Sequence, residues 1–224
     1  MFIKTVAGIA LLHVLSAVSA APRYTKSTVP SWHLPCGDIL ESDNTPIENL
    51  EEQFKITLDS LSLQHQLSMS DYLNRDYEYL YEKVRIGVHQ HQYIPNWVPG
   101  DADVKLVKRL VKASPRMIVS YLPKLHSDLQ KFAVAFEELI EDETNPKIQE
   151  ALSATQNYLL MMLCEVESNL EVLPPLRVPR RIERSIMNER QRNPVDDTRR
   201  WIRDWGVVLK YRNYLHAWRH VFNY

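Results

Sequence analysis

Near the end of the chain His216 and His220 stand four residues apart. On a helix that spacing turns both imidazoles to one face, where they could clamp a metal ion. Neither an acid nor a thiol stands near them in sequence to complete a ligand set, so a solvated helix face explains the pair more simply. His89 and His91 are two apart, which on a helix points them away from each other. Adjacent acids such as Glu137 and Glu138 read as ordinary exposed helix positions. The chain has no His-Glu-x-x-His zinc motif, no Gly-x-Ser-x-Gly nucleophile turn, no phosphate-binding P-loop and no dinucleotide fingerprint. The expectation is a chain that is not an enzyme and uses neither a metal nor a cofactor.

Cys36 and Cys164 are the only thiols, and their chemistry depends on the compartment. The chain opens with Lys4, the apolar run Val6 to Val18 and the small residues Ser19-Ala20-Ala21, the three parts of a signal peptide over residues 1–21. The run is shorter than the about 20 residues a bilayer span needs, so no direct membrane insertion is expected. In an oxidising compartment two cysteines point to one disulfide, with two unrelated buried thiols as the alternative. Closing so long a loop contributes about 4–5 kcal/mol on the chain-entropy model. There is no N-glycosylation sequon.

Without the leader roughly 200 residues remain, the size of one domain, read as an N-terminal segment over 22–44 followed by helices over 45–224. Charge is nearly balanced overall, which argues against a nucleic-acid partner. It is unevenly placed, however: residues 177–224 carry 12 basic and 5 acidic side chains, and residues 22–176 carry 14 and 23. The C-terminal fifth therefore reads as a basic surface. Within it, Arg180-Arg181 is a candidate processing site, although an exposed, solvated connection explains the pair equally well.

The elements that position these residues are helical. Beyond the leader only Gly37, Gly87, Gly100 and Gly206 occur, too few for many tight hairpins. Four dipeptides pair a capping side chain with a proline suited to the first helical turn: Thr45-Pro46, Ser114-Pro115, Asn145-Pro146 and Asn193-Pro194. Thr45-Pro-Ile-Glu48 is also a capping box. Apolar stripes at alternating steps of three and four follow these starts: Ile118, Leu122, Leu125, Leu129, Phe132 and Phe136 in one, Ile148, Leu152, Leu159, Met162 and Val166 in another. The predicted helices cover 46–88 with a bend near 68–71, 115–141 with a kink at Pro123, 146–173 and 194–222. Their connections are long, short and long. That favours an all-α, up-up-down-down four-helix bundle with two long crossovers.

The last predicted helix is unusually aromatic. Val208, Tyr211, Leu215, Trp218 and Phe222 form one stripe, widened by Trp201 and Trp205 on one side and by Val207, Tyr214 and Val221 on the other. The apolar arc spans about 200°, against roughly 100° for a surface helix. Either this helix touches several neighbours, or part of its aromatic surface, edged by Arg200, Arg203, Arg212 and Arg219, meets a partner; Trp, Tyr and Arg dominate interface energetics.

Here the chain resembles the interleukin-6-type cytokines of the ciliary neurotrophic factor and leukaemia inhibitory factor branch. The similarity lies in Trp205-Gly206-Val-Val-Leu209 followed by Leu215 and Trp218, in the layout of connections, and in one cysteine before the first helix and another in the third. The cysteine usage and the basic segment resemble the invertebrate Unpaired-type ligands. The resemblance implies a Cys36–Cys164 bridge and a secreted cytokine. Its partner would be the ectodomain of a single-span receptor, Domeless for Unpaired-type ligands, and its output JAK/STAT signalling. It also implies three contact faces: the end of the last helix with the first crossover, an exposed face of the first and third helices, and the start of the last helix. The vertebrate Phe-x-x-Lys at that start has no full counterpart, because Trp201 is followed three residues on by Asp204. The candidate receptor-binding residues are Trp201, Asp204, Trp205, Arg212, Arg219 and Phe222. The alternatives are a secreted helical carrier of a small apolar ligand, or a decoy of the same fold.

Overall fold

The computed structural model describes residues 29–37, 49–75, 77 and 93–224. The leader, the Thr45–Glu48 capping box, the pair His89 and His91, and most of the predicted stretch from 76 to 88 lie outside them. The described residues are all-α and contain no strand. Among the described residues seven α-helices run in the order α1 Leu50–Leu73, α2 Asp101–Lys108, α3 Pro115–Val119, α4 Leu122–Asp142, α5 Pro146–Val172, α6 Glu189–Arg192 and α7 Asp197–Phe222. Short 3₁₀ turns occupy Ser31–His33 and Arg184–Ile186.

Two predicted starts stand where the sequence puts them. The Ser114 hydroxyl accepts from the Met117 N–H at 3.4 Å and the Asn145 side chain from the Lys147 N–H at 3.0 Å, each ahead of a proline in the first turn. Three other expectations are corrected. The break expected near 68–71 falls later: α1 is continuous through these residues, where the Ser68 hydroxyl donates back to the Gln64 carbonyl at 3.0 Å, and it ends at Leu73 with Asn74 as its cap. The predicted 115–141 helix is two helices, because Pro123 lacks an N–H and its ring crowds the carbonyl four residues back, so the chain turns at Ser120–Tyr121. The last long helix does not start at Asn193-Pro194. Asn188 and Gln191 form a capping box that starts α6, Asn193 ends that turn, and Asp196 caps α7 by accepting from the Arg199 N–H at 2.9 Å. A carboxylate suits the positive end of a helix.

Contacts between the long helices fix their relative directions. From Ser60 to Ser68 and on to Tyr77, the partners on α5 and its flank fall from Glu165 through Tyr158 to Thr155 and Ala151. Along α4, His126, Ala133 and Ile140 meet Glu167, Gln156 and Gln149 of α5. Asp128 and Asp142 of α4 meet Tyr214 and Arg203 of α7, while His65 and Tyr72 of α1 meet Tyr224 and the Val208 carbonyl. Each of these four pairs is antiparallel.

The middle is closed by aromatic rings. Phe132 and Phe136 of α4 pack edge-on to Tyr211 with centroids 5.1 and 5.3 Å away, and Phe132 also meets Tyr214. All four are fully buried, an arrangement that adds about 0.5–1.5 kcal/mol per aromatic pair to area burial. The Tyr214 hydroxyl donates to the Asp128 carboxylate at 2.9 Å, which satisfies the polar end of a buried ring. Cys36 is bonded to Cys164 of α5, with Cα atoms 4.9 Å apart. Four residues before that bridge, fully buried Trp32 donates its indole N–H to the Ile182 carbonyl at 2.7 Å. The N-terminal segment is thereby pinned beneath the connection that leads to α7.

Candidate functional site

Helix α7 spends most of its wide apolar arc on neighbours within the chain. Val207, Val208, Tyr211, Tyr214, Leu215, Trp218 and Val221 are buried, with α1 and α4 on two sides and α2 with residues 94–98 on another. Gly206 is what lets the 94–98 strand of chain lie so close. A Cβ there would stand 2.3 Å from Ile94 Cδ1, and one turn on Lys210 Nζ donates to the carbonyls of Pro95 and Val98 at 3.2 and 3.3 Å. The Trp-Gly dipeptide thus marks a close approach of the Ile94 side chain to the helix.

The six candidate contact residues divide by exposure. Asp204 and Trp205 are buried, which removes both from any surface in this structure. Asp204 accepts from Arg203 Nε at 2.7 Å, and burial pushes its carboxyl up to about 6 in spite of that cation. Trp201 and Phe222 are half-buried and pack on the core, with Phe222 stacked on Trp218 at 5.4 Å. Arg212 is half-exposed beside the α2–α7 groove. Arg219 donates to the Tyr224 carbonyl at 3.1 Å and lies over the Tyr224 ring. Of the two histidines four residues apart, His216 is half-buried and His220 exposed, and no group of three or more His, Cys, Asp or Glu suited to a metal occurs among the described residues.

The expected basic surface of the C-terminal fifth is corrected at four of its twelve cations. Four of its arginines are turned inward and each meets an acid of α4 or α5. Arg181 grips Glu167 with both terminal nitrogens, Arg184 reaches Glu137 at 2.6 Å, Arg192 pairs with Glu138, and Arg203 meets Asp142 at 2.7 Å. Arg184 also lies over the Trp32 ring at 5.5 Å. Burial alone would raise the Glu167 carboxyl, but hydrogen bonds from Arg181 and His126 hold it near 2. Gln130 completes the clamp, its Oε1 accepting from the Ile182 N–H at 2.8 Å. In the dibasic pair Arg180 is exposed while Arg181 is engaged with Glu167.

A second surface was not among the residues the sequence singled out. On α1, Ile56, Leu63 and Leu67 are 53 %, 64 % and 53 % exposed, and on α5 Met161 is 48 % exposed. At 100° per residue the three α1 positions share one flank, opposite the core-facing Phe54, Leu61 and His65. That flank borders α5: Ser60, one turn before Leu63, bonds Glu165, which stands one turn after Met161. Both apolar sets therefore lie on the outward side of the α1–α5 pair. The available signal was an apolar set at i, i+7 and i+11 lying off the main stripe. No family model, curated protein or solved structure matches the chain. No helix among the described residues is long and apolar enough to cross a membrane.

Proposed function

We propose that this chain is a secreted cytokine, an up-up-down-down four-helix bundle that binds the ectodomain of a single-span receptor and activates JAK/STAT signalling. The antiparallel order of the four long-helix pairs supports the topology: α1 and α4 run one way, α5 and α7 the other. The observation that carries the binding role is the exposed apolar row Ile56, Leu63 and Leu67 on α1, with exposed Met161 on neighbouring α5, outside a core already filled by its own aromatics. Contiguous apolar groups on a surface mark sites of association with other proteins. Arg212 and Arg219, at the far end of α7, offer a second contact area rich in charge. Phe132, Phe136, Tyr211 and Tyr214 occupy the centre, which favours a surface-binding protein over an internal carrier of an apolar ligand.

The test applies purified protein to cells that bear a Domeless-type receptor and to matched cells without it, following STAT phosphorylation. Dose-dependent phosphorylation confined to receptor-bearing cells is the expected result. No response, or the same response in both, removes the proposal. Charge reversal at Arg212 and Arg219 should weaken the signal while leaving thermal unfolding nearly unchanged.

A further inference from the structure

The internal pairing of the C-terminal arginines makes a second basic region stand out. Lys105 and Lys108 of α2, and Arg109, Lys112 and Arg116 just beyond it, are all exposed, and among the described residues none of the five is paired with a carboxylate. Positions 105, 108, 109 and 112 follow the i, i+3, i+4, i+7 spacing of one helix flank. Hydrogen bonds Arg109 N–H to Leu106, Leu110 N–H to Val107 and Val111 N–H to Lys108 carry the winding past the helix end. Val107 and Leu110 are buried on the opposite flank, so the cations are held facing outward. Lys112 itself sits at φ 69°, a left-handed position that glycine or asparagine adopts more readily.

Helix α7 extends the positive surface across a groove lined by Lys108, Arg212, His216 and His220, with Asp101 as the acid in its lining. The His216 imidazole is held below its ordinary value by burial and by the charges of Arg212, Arg219 and His220, as expected in a positive field. Like charges this close repel one another, and an ordered row of anions would relieve that repulsion.

We propose that the α2–α7 surface binds a sulfated polysaccharide, whose repeating anionic groups match a row of outward cations. The proposal rests on the extracellular placement above but not on the receptor. Nucleic acid fits less well, since single-stranded binding relies on exposed aromatic platforms and the exposed apolar side chains here are Leu106 and Met117. A membrane surface fits less well too, because Val107 and Leu110 are spent on the core and only Leu106 and Met117 are left exposed, short of an apolar face.

The experiment measures binding of the full secreted chain to immobilised heparin at about 0.15 M salt, against duplex DNA and phosphatidylserine vesicles. Binding should be strongest to heparin and fall steeply with salt, as counterion release requires. A variant with Lys105→Ser, Lys108→Ser, Arg109→Ser and Lys112→Ser should bind at least about tenfold more weakly with an unchanged circular dichroism spectrum. Arg180→Ser with Arg190→Ser, two exposed cations elsewhere, should bind as the unaltered chain does. If the fourfold change disturbs folding, Lys108→Glu with Arg109→Glu carries the same test. Equal heparin binding by the patch variant, equal loss in the control, or stronger binding to DNA or vesicles overturns the proposal. Heparin binding without STAT phosphorylation would remove the receptor reading and leave this surface in place; the reverse outcome would do the opposite.

Discussion

Two basic regions of this molecule use the same side chains in opposite ways. In the connection before α7 and the first turns of that helix, Arg181, Arg184, Arg192 and Arg203 are spent inside the fold, each on an acid of α4 or α5. In and after α2, lysines and arginines face outward with no carboxylate among the described residues to meet them. The linear charge count ranks the first region as the basic surface and places the second inside the acidic part of the chain. Pairing in three dimensions reverses that order. A cation in sequence becomes available surface only where no acid is folded against it.

The difference predicts opposite responses to removing charge. The largest effect belongs to Arg203, whose side chain is 1 % exposed between Asp142 and Asp204. Arg203→Ala leaves a buried carboxylate without its cation and should lower stability by about 3–5 kcal/mol, read as the midpoint of urea unfolding. A loss below about 1 kcal/mol would mean that the clamp is not structural. Glu167→Gln should cost less, about 1–3 kcal/mol, because the amide still accepts from Arg181.

Its signature is a pH dependence. The Glu167 carboxyl is depressed from its ordinary 4.5 to about 2 in the folded chain, so its contribution is complete above 4.5 and is lost as pH falls towards 2. The variant should lack that part of the stability profile. Asp204 has the opposite sign. Its carboxyl is raised to about 6, so the folded chain holds a proton that the unfolded chain releases, and stability falls as pH rises from 3.8 through 6. Asp204→Asn should flatten that interval.

In the outward region the effects are small or reversed. Lys112→Gly relieves the left-handed backbone and should raise stability by about 0.5–1 kcal/mol. Lys108→Ser removes an exposed cation and should stay within about 0.5 kcal/mol of the unaltered chain in the same unfolding assay. A large loss at either position would erase the contrast between the two regions.

The all-α class was legible in the sequence because its signals are local. Ser114-Pro115 and Asn145-Pro146 cap helices with atoms a few residues apart, and every stripe residue on α4 and α5 is buried. The start of α7 was misread because Asn193-Pro194 and Asp196 are both competent caps, and the choice depends on Asn188 and Gln191 upstream. The candidate site was less legible. Trp205 and Trp218 look alike on paper whether they face a partner or the core, and their burial depends on Ile94, Tyr121 and α1 folding over them. Leu63 and Leu67 are leucines on an ordinary helix in the sequence, and only the packing of α5 to one side of them leaves them exposed.

The exposed apolar residues of α1 and α5 are the proposed receptor contact. Its most direct measurement is the affinity of the purified receptor ectodomain for the unaltered chain and for a Leu63→Glu, Leu67→Glu variant, by surface plasmon resonance with unfolding curves run in parallel. Both leucines are exposed, so the unfolding midpoint should hardly move, while the loss of two apolar anchors should weaken binding by at least about tenfold. Unchanged affinity with intact folding would contradict the assignment.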